Sequence, residues 1–271
     1  MKIFKNKLSL QKEILKENCI SFVPTMGGLH RGHLSLIKKA KKYKCKILVS
    51  IFVNPKQFNK KSDFKKYPRN IKKDIKVLKK HKVDYLYLPS YKDIFIFMPN
   101  NKVYMHKFSK YLCGKFRKGH FEGVLNVINR FLEIIKPKYI YLGLKDFQQL
   151  ILINNHILKN RINTKVIQCV TIREKNGVAF STRNFNLNKK ELKIASNIYK
   201  HLFNLKKEVI NNFKNFKITS AKKDLICLGA SKVDYIENID LKNFRNAKNS
   251  KNRFKIFFAY YIRNIRLIDN I

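Results

Sequence analysis

The sequence predicts an α/β protein, a parallel sheet with crossover helices, followed by a smaller α+β domain. Two observations carry this. Short apolar runs alternate with amphipathic helical stretches as far as about residue 172, the pattern of strand–helix–strand units. Beyond Asn184 a long lysine-rich helical stretch gives way to short strands. A length of 271 residues suits one large or two unequal domains. The boundary is expected within residues 173–185, giving domains 1–175 and 176–271.

The elements follow in order. Cys19 to Pro24 reads as a strand, followed by a glycine-containing turn and a helix from about His33 to Tyr43. Ile47 to Val53 is a strongly apolar run and reads as the next strand. A helix is expected over Ile71 to Lys80, a strand over Asp84 to Leu88, and a helix over Val124 to Ile135. Tyr139 to Leu142 reads as a strand, Phe147 to Lys159 as a helix and Lys165 to Ile172 as a strand. In the second domain a helix is expected over about Lys189 to Phe213, with strands at Lys232 to Glu237 and Phe254 to Ile262. No internal repeat is apparent.

The formal net charge is +43, from 60 Lys and Arg against 17 Asp and Glu. Such a balance ordinarily points to nucleic acid or an anionic membrane surface. Here lysine is dispersed through every segment and travels with Asn, Ile, Phe and Tyr, the bias expected when AT-rich codons fill unconstrained surface positions. A concentrated basic stripe with stacking aromatics is missing from the sequence, so neither a nucleic-acid nor a membrane partner is expected. The composition is 45% hydrophobic and 13% aromatic, which suits a globular chain. The five cysteines, Cys19, Cys45, Cys113, Cys169 and Cys227, are far apart and lack a C-x-x-C spacing. They read as reduced thiols, consistent with a cytoplasmic location. The opening residues lack an apolar core of signal-peptide length.

The sharpest local signal is Val23-Pro24-Thr25-Met26-Gly27-Gly28-Leu29-His30-Arg31-Gly32-His33, at a strand-to-helix handover. Glycines let backbone approach a ligand, and a helix start presents unpaired N–H groups and a positive dipole end, so the segment is a place for phosphate. His30 and His33 sit three residues apart across Gly32 and can direct two imidazoles at charge growing on an α-phosphate. The plainer alternative is two surface histidines in a turn. By itself H-x-G-H indicates nucleotidyl transfer or adenylation and leaves the substrate open.

This segment resembles the signature of the pantothenate synthetases, P-T-M-G-x-L-H-x-G-H, matched throughout residues 24–33. The likeness continues in family order. Ser50-Ile51-Phe52-Val53-Asn54-Pro55-Lys56-Gln57-Phe58, Tyr67-Pro68-Arg69 and Gly119-His120-Phe121-Glu122-Gly123-Val124 match three further signatures. Lys145-Asp146-Phe147-Gln148-Gln149-Leu150 and Arg173-Glu174-Lys175-Asn176-Gly177 match two more, and Ser181-Thr182-Arg183-Asn184 corresponds to S-S-R-N. The tail Arg266-Leu267-Ile268-Asp269-Asn270 is similar as well. The resemblance implies a Rossmann-like sheet of the nucleotidylyltransferase superfamily with a C-terminal lid domain. It implies ATP-dependent condensation of pantoate with β-alanine through a pantoyl adenylate, releasing AMP and diphosphate.

The same resemblance assigns residues. Met26, Gly27, Gly28, Leu29, His30, Arg31, Gly32 and His33 would bind ATP, with Gly143, Leu144, Lys145, Asp146, Ile172, Phe180, Ser181, Thr182 and Arg183. Gln57, Gln149 and Asn54 would hold pantoate, and Gln57 would also meet β-alanine. His33, His30 and Lys145 would carry catalysis, His33 as the proton donor. Spacing alone also allows Lys145-Asp146 to be a plain helix start, and Ser181-Thr182-Arg183 a polar turn. Magnesium is expected with ATP through ligands the sequence does not identify, and homodimerisation is a family expectation. Three positions depart from the pattern: Leu144 replaces a glutamate, Thr182 a serine and Lys118 a proline. A nucleotidyltransferase that leaves the adenylyl group on its product is the rival reading, because H-x-G-H occurs across that superfamily.

Overall fold

The computed structural model of the chain describes residues 1–59, 61–211, 218–247 and 253–271. The chain divides into two units, Met1–Ser109 with Arg117–Thr171, and Lys110–Phe116 with Ile172–Ile271.

The first unit is built on six strands, β1 (Lys2–Phe4), β2 (Ile20–Thr25), β3 (Lys46–Ile51), β4 (Tyr85–Tyr87), β5 (Tyr139–Gly143) and β6 (Lys165–Cys169). They pair in parallel in the order β1-β4-β3-β2-β5-β6. The central strands need apolar residues on both faces, because helices cover the two sides of a parallel sheet. Accordingly Phe22, Val23, Leu48 and Val49 are all fully buried. The helices of this unit are α1 (Lys7–Ile14), α2 (Arg31–Ala40), α3 (Lys61–Lys66), α4 (Ile71–Lys80), α5 (Tyr91–Phe95), α7 (His120–Ile135) and α8 (Phe147–Lys159). The apolar face of α2, Leu36, Ile37 and Ala40, joins Val23, Val49, Leu78 and Tyr141 in one core.

The remaining helix of the series, α6 (Cys113–Phe116), lies in the second unit with α9 (Lys189–Asn211) and α10 (Ile218–Cys227). Three antiparallel strands complete that unit: β7 (Lys232–Asp240), β8 (Phe254–Ile262) and β9 (Ile265–Asn270). Ile198 and Leu202 of α9 and Leu225 of α10 pack with Ile236, Ile256 and Phe258 of the sheet. The α/β plus α+β division is the fold class expected from the sequence.

Several boundaries differ from expectation. The helix after the glycine turn starts at Arg31 rather than His33, because the His30 side chain caps it. The strand expected over Ile47 to Val53 runs Lys46–Ile51, and that expected over Lys165 to Ile172 ends at Cys169. The predicted end of α9, residues 212–213, lies outside the described residues. Strands β1 and β9 and helices α1, α3, α5, α6 and α10 were not foreseen.

The cysteines also require a correction. Cys19 and Cys45 form a disulfide, with Cα atoms 4.8 Å apart, whereas all five were expected as thiols. They stand just before β2 and β3, and parallel pairing of those neighbouring strands brings their starts side by side. Cys113, Cys169 and Cys227 remain thiols. Among the described residues no helix is long and apolar enough to cross a membrane.

Candidate active site

The strand order sets the place. Successive strands run from β2 to β3 and β4 on one side, while β5 and β6 lie on the other. The order therefore reverses between β2 and β5, and a parallel sheet opens a crevice at the carboxyl ends of its strands where this happens. The segment after β2 carries His30 and His33, and the segment after β5 carries Lys145 and Asp146. Asn54 and Gln57 follow β3 on the same edge.

The loop from Met26 to His33 is internally tied. Gly27 N–H donates to Thr25 Oγ1 at 3.3 Å, and Thr25 Oγ1 donates to the Ser50 carbonyl at 2.7 Å. Gly28 and Leu29 N–H donate to the two carboxylate oxygens of Asp74, each at 2.9 Å. Gly27 and Gly28 have φ values of +78° and +61°, a region in which a side chain is strained. At the helix start Gly32 N–H donates to His30 Nδ1 at 3.1 Å, and His30 N–H to His33 Nδ1 at 3.4 Å. This corrects the expectation of unpaired N–H groups presented to phosphate, since most of the loop's donors already have partners.

The imidazoles supply donors in their place. Each ring spends Nδ1 as an acceptor, so in the neutral ring the proton sits on Nε2. Burial, followed by the Lys145 ammonium, lowers the His30 pKa to about 4. Burial, then His30, then Lys145 hold His33 well below the ordinary histidine value. The ring centroids are 4.1 Å apart. Two neutral rings therefore stand side by side within the field of the Lys145 ammonium.

Lys145 pairs with Asp146 at 3.4 Å, with its side chain 18% exposed. Leu144, Lys145 and Asp146 form a single helical turn leading into α8. Gln148 is buried and donates to the Phe108 carbonyl at 2.8 Å, a packing role, whereas Gln149 is partly exposed.

Gln57 is buried and donates through Nε2 to Met26 Sδ at 2.8 Å, which joins the β3 segment to the histidine loop. Asn54, expected at pantoate, spends its amide within the protein. Its Oδ1 accepts from Lys56 N–H at 3.2 Å, and its Nδ2 donates to the Gly123 carbonyl at 3.0 Å. The same Nδ2 lies 3.4 Å from Gln57 Oε1. The Gln57 carbonyl is held from the other side, by His120 Nδ1 at 2.7 Å and Arg117 Nη2 at 3.1 Å. The Lys118 carbonyl accepts from Asn59 Nδ2 at 2.5 Å, so this loop is fastened without the family's proline.

The second unit carries the remaining predicted residues. Phe180 N–H donates to the Ile172 carbonyl at 3.0 Å, which sets those two side by side. Ser181 Oγ caps the turn by accepting from Arg183 N–H at 3.3 Å, and Thr182 is buried. Arg173 anchors this hairpin to Asp269 of β9 at 2.5 and 3.1 Å.

A model of the pantoate-beta-alanine ligase family matches residues 2–271. The chain belongs to this family. A pantothenate synthetase of Francisella tularensis subsp. mediasiatica is 41% identical over 266 residues, covering 97% of this chain and 92% of that one. The crystal structure of pantoate-beta-alanine ligase from Francisella tularensis, complexed with beta-gamma ATP and beta-alanine, is 38% identical. It covers 100% of this chain and 97% of that one, with a TM-score of 0.84. Pantothenate synthetase from Thermus thermophilus is 27% identical with a TM-score of 0.88, covering 100% and 99% of the two chains. Membership makes the chain a ligase.

Sequence reasoning missed Asp74, Thr25, Arg117 and His120. His120 lies within a signature that had been matched without a role. Asp74 gave no signal, since a lone acid in a lysine-rich helix reads as a surface charge.

Proposed function

We propose that this chain condenses pantoate with β-alanine at the expense of ATP, through a pantoyl adenylate. The pair of neutral histidines beside Lys145 at the switch point carries the reading within the shown family. The pantoate carboxylate attacks the α-phosphorus and diphosphate leaves. The β-alanine amine then attacks the acyl carbon, AMP departs and the amide remains. His30 and His33 give Nε2–H hydrogen bonds to phosphate oxygens as they gain charge, and Lys145 neutralises the chain of phosphates. His33, expected from the sequence as a proton donor, acts here as a hydrogen-bond donor that keeps its proton, because burial holds the ring neutral. Gln57 and Gln149 orient pantoate, Gln57 also meets β-alanine, and Asn54 acts through the Gln57 amide beside it.

Ile172, Phe180, Ser181, Thr182 and Arg183 are proposed to bind ATP, with the C-terminal domain serving as a lid that keeps water from the mixed anhydride. Magnesium enters as the ATP complex. Among the described residues no cluster of three or more His, Cys, Asp or Glu side chains could hold a metal ion. That donor set suits an ion carried on phosphates and water, with Asp146 the carboxylate offered by this segment. A cytoplasmic homodimer completes the proposal, the location resting on the need for ATP rather than on the cysteines, two of which are joined, and sedimentation of the purified chain tests the dimer.

The deciding experiment is AMP release with each substrate omitted in turn, beside His33→Ala. Release that requires pantoate and β-alanine supports the ligase. A stable adenylylated product would overturn it in favour of a nucleotidyltransferase, and unchanged turnover in the variant would remove His33 from the mechanism.

A further inference from the structure

We propose that Asp74 is a positioning residue for adenylation: its carboxylate clamps the Gly28 and Leu29 N–H groups and so fixes where the His30 and His33 rings stand. The inference rests on the ligase reading above. Asp74 lies on α4, more than forty residues along the chain from the loop it holds, and is 3% exposed. Burying a carboxylate is costly unless its oxygens are well bonded. Each oxygen here accepts one N–H at 2.9 Å, a charge-assisted pair stronger than neutral bonds. Among the described residues of a chain with 60 Lys and Arg, Asp74 forms no ion pair. Its charge is spent on the loop.

The loop needs such a hold. Met26-Gly27-Gly28 has few side chains to fix it, and glycine backbone is otherwise free. The fit is close as well as bonded. A Cβ on Gly27 would stand 3.1 Å from Asp74 Oδ2 and 3.1 Å from Ile51 Cγ2. Directly after the two clamped residues comes His30, the cap of α2, whose own N–H meets His33 Nδ1. The direction in which the chain leaves Leu29 therefore sets both rings. The helix carrying Asp74 is capped separately, by Asn70 Oδ1 accepting from Lys73 N–H at 2.9 Å.

Asp74→Asn keeps the shape but replaces one acceptor with an amide that cannot accept. The measurement is pantoate-dependent exchange of labelled diphosphate into ATP, with histidine ¹⁵N spectra of the same samples. The expected result is an exchange rate down about 100-fold at saturating substrates, the cost of small misplacements at a reacting centre. The His30 and His33 signals should also lose their Nε2–H tautomer pattern. Asn70→Ala, which weakens the same helix without touching the loop, should lower the melting temperature and leave the exchange rate within about twofold. Unaltered histidine signals in Asp74→Asn overturn the clamp, as does an equal loss of rate in Asn70→Ala at full folding. A wild-type chain that shows no exchange overturns the ligase reading instead, and the nitrogen signals still decide the clamp.

Discussion

Two imidazoles that stay neutral at pH 7 can stabilise growing phosphate charge without pairing permanently with the ground state. Their pH behaviour follows from this. With the His30 pKa lowered to about 4, its donor form persists until well below the ordinary histidine range. The kcat/KM profile is expected to show no inflection near 6.5 from this ring, and an inflection there that His30→Gln abolishes would contradict the assignment. His156 shows the same depression in a purely structural setting. It is fully buried, accepts Tyr104 N–H at 3.2 Å on Nδ1 and donates Nε2–H to Asn129 Oδ1 at 3.0 Å. Burial lowers its pKa to about 4, against 6.5 when exposed. The unfolded chain thus binds the extra proton first as pH falls. Stability from this residue is complete above about 6.5 and is lost towards 4, at up to about 1.4 kcal/mol per pH unit. Melting temperatures of His156→Gln across that window should start lower and slope less. The sequence pointed to His30 and His33 because glycines and a strand end framed them, and it was silent on Asp74 because the partner N–H groups lie on a distant loop.

At the scale of elements, α7 approaches the backbone of the Gln57 segment so closely at Gly123 that only a glycine fits. A Cβ on Gly123 would stand 2.4 Å from the Lys56 carbonyl oxygen and 2.9 Å from Gln57 N, both backbone atoms that cannot swing aside. Gly123→Ala is expected to destabilise by about 1–3 kcal/mol. It should also raise the KM for pantoate, a shift that thermal unfolding and initial rates together would show. The Cys19–Cys45 disulfide gives a second prediction. It closes a separation of 26 residues, for which chain entropy suggests about 3.5 kcal/mol. Cys45→Ser, or added reductant, should lower the melting temperature with little effect on turnover, since both cysteines stand at the strand starts, away from the catalytic edge. Long periodic elements were legible in the sequence. The three-residue β1 was not, because its existence depends on pairing with β4. Nor was the disulfide, because spacing along the chain does not say which strands are neighbours.

Over the whole molecule, the +43 charge acts on rates, on association and, through self-repulsion, on stability, but not on which fold forms. Raising ionic strength should screen attraction for ATP and raise its KM, while relieving self-repulsion and raising the melting temperature. Steady-state kinetics and calorimetry over a salt series check both, and a KM that does not respond would show that the field does not reach the site. The α/β and α+β character of the two halves was legible because hydrophobic period follows layer architecture. The strand order was not, and with it went the knowledge that the β2 and β5 segments flank one crevice.

The histidine loop finally bears on how the site could be blocked. Because Gly28 and Leu29 give their N–H groups to Asp74, a compound built to dock an anion on that peptide backbone would find those donors already taken. An inhibitor gains more from one acceptor shared between two uncharged imidazole N–H groups and a second placed for Lys145. Potency achieved that way should hold steady from mildly acidic to neutral pH, a screening criterion that needs no further structure.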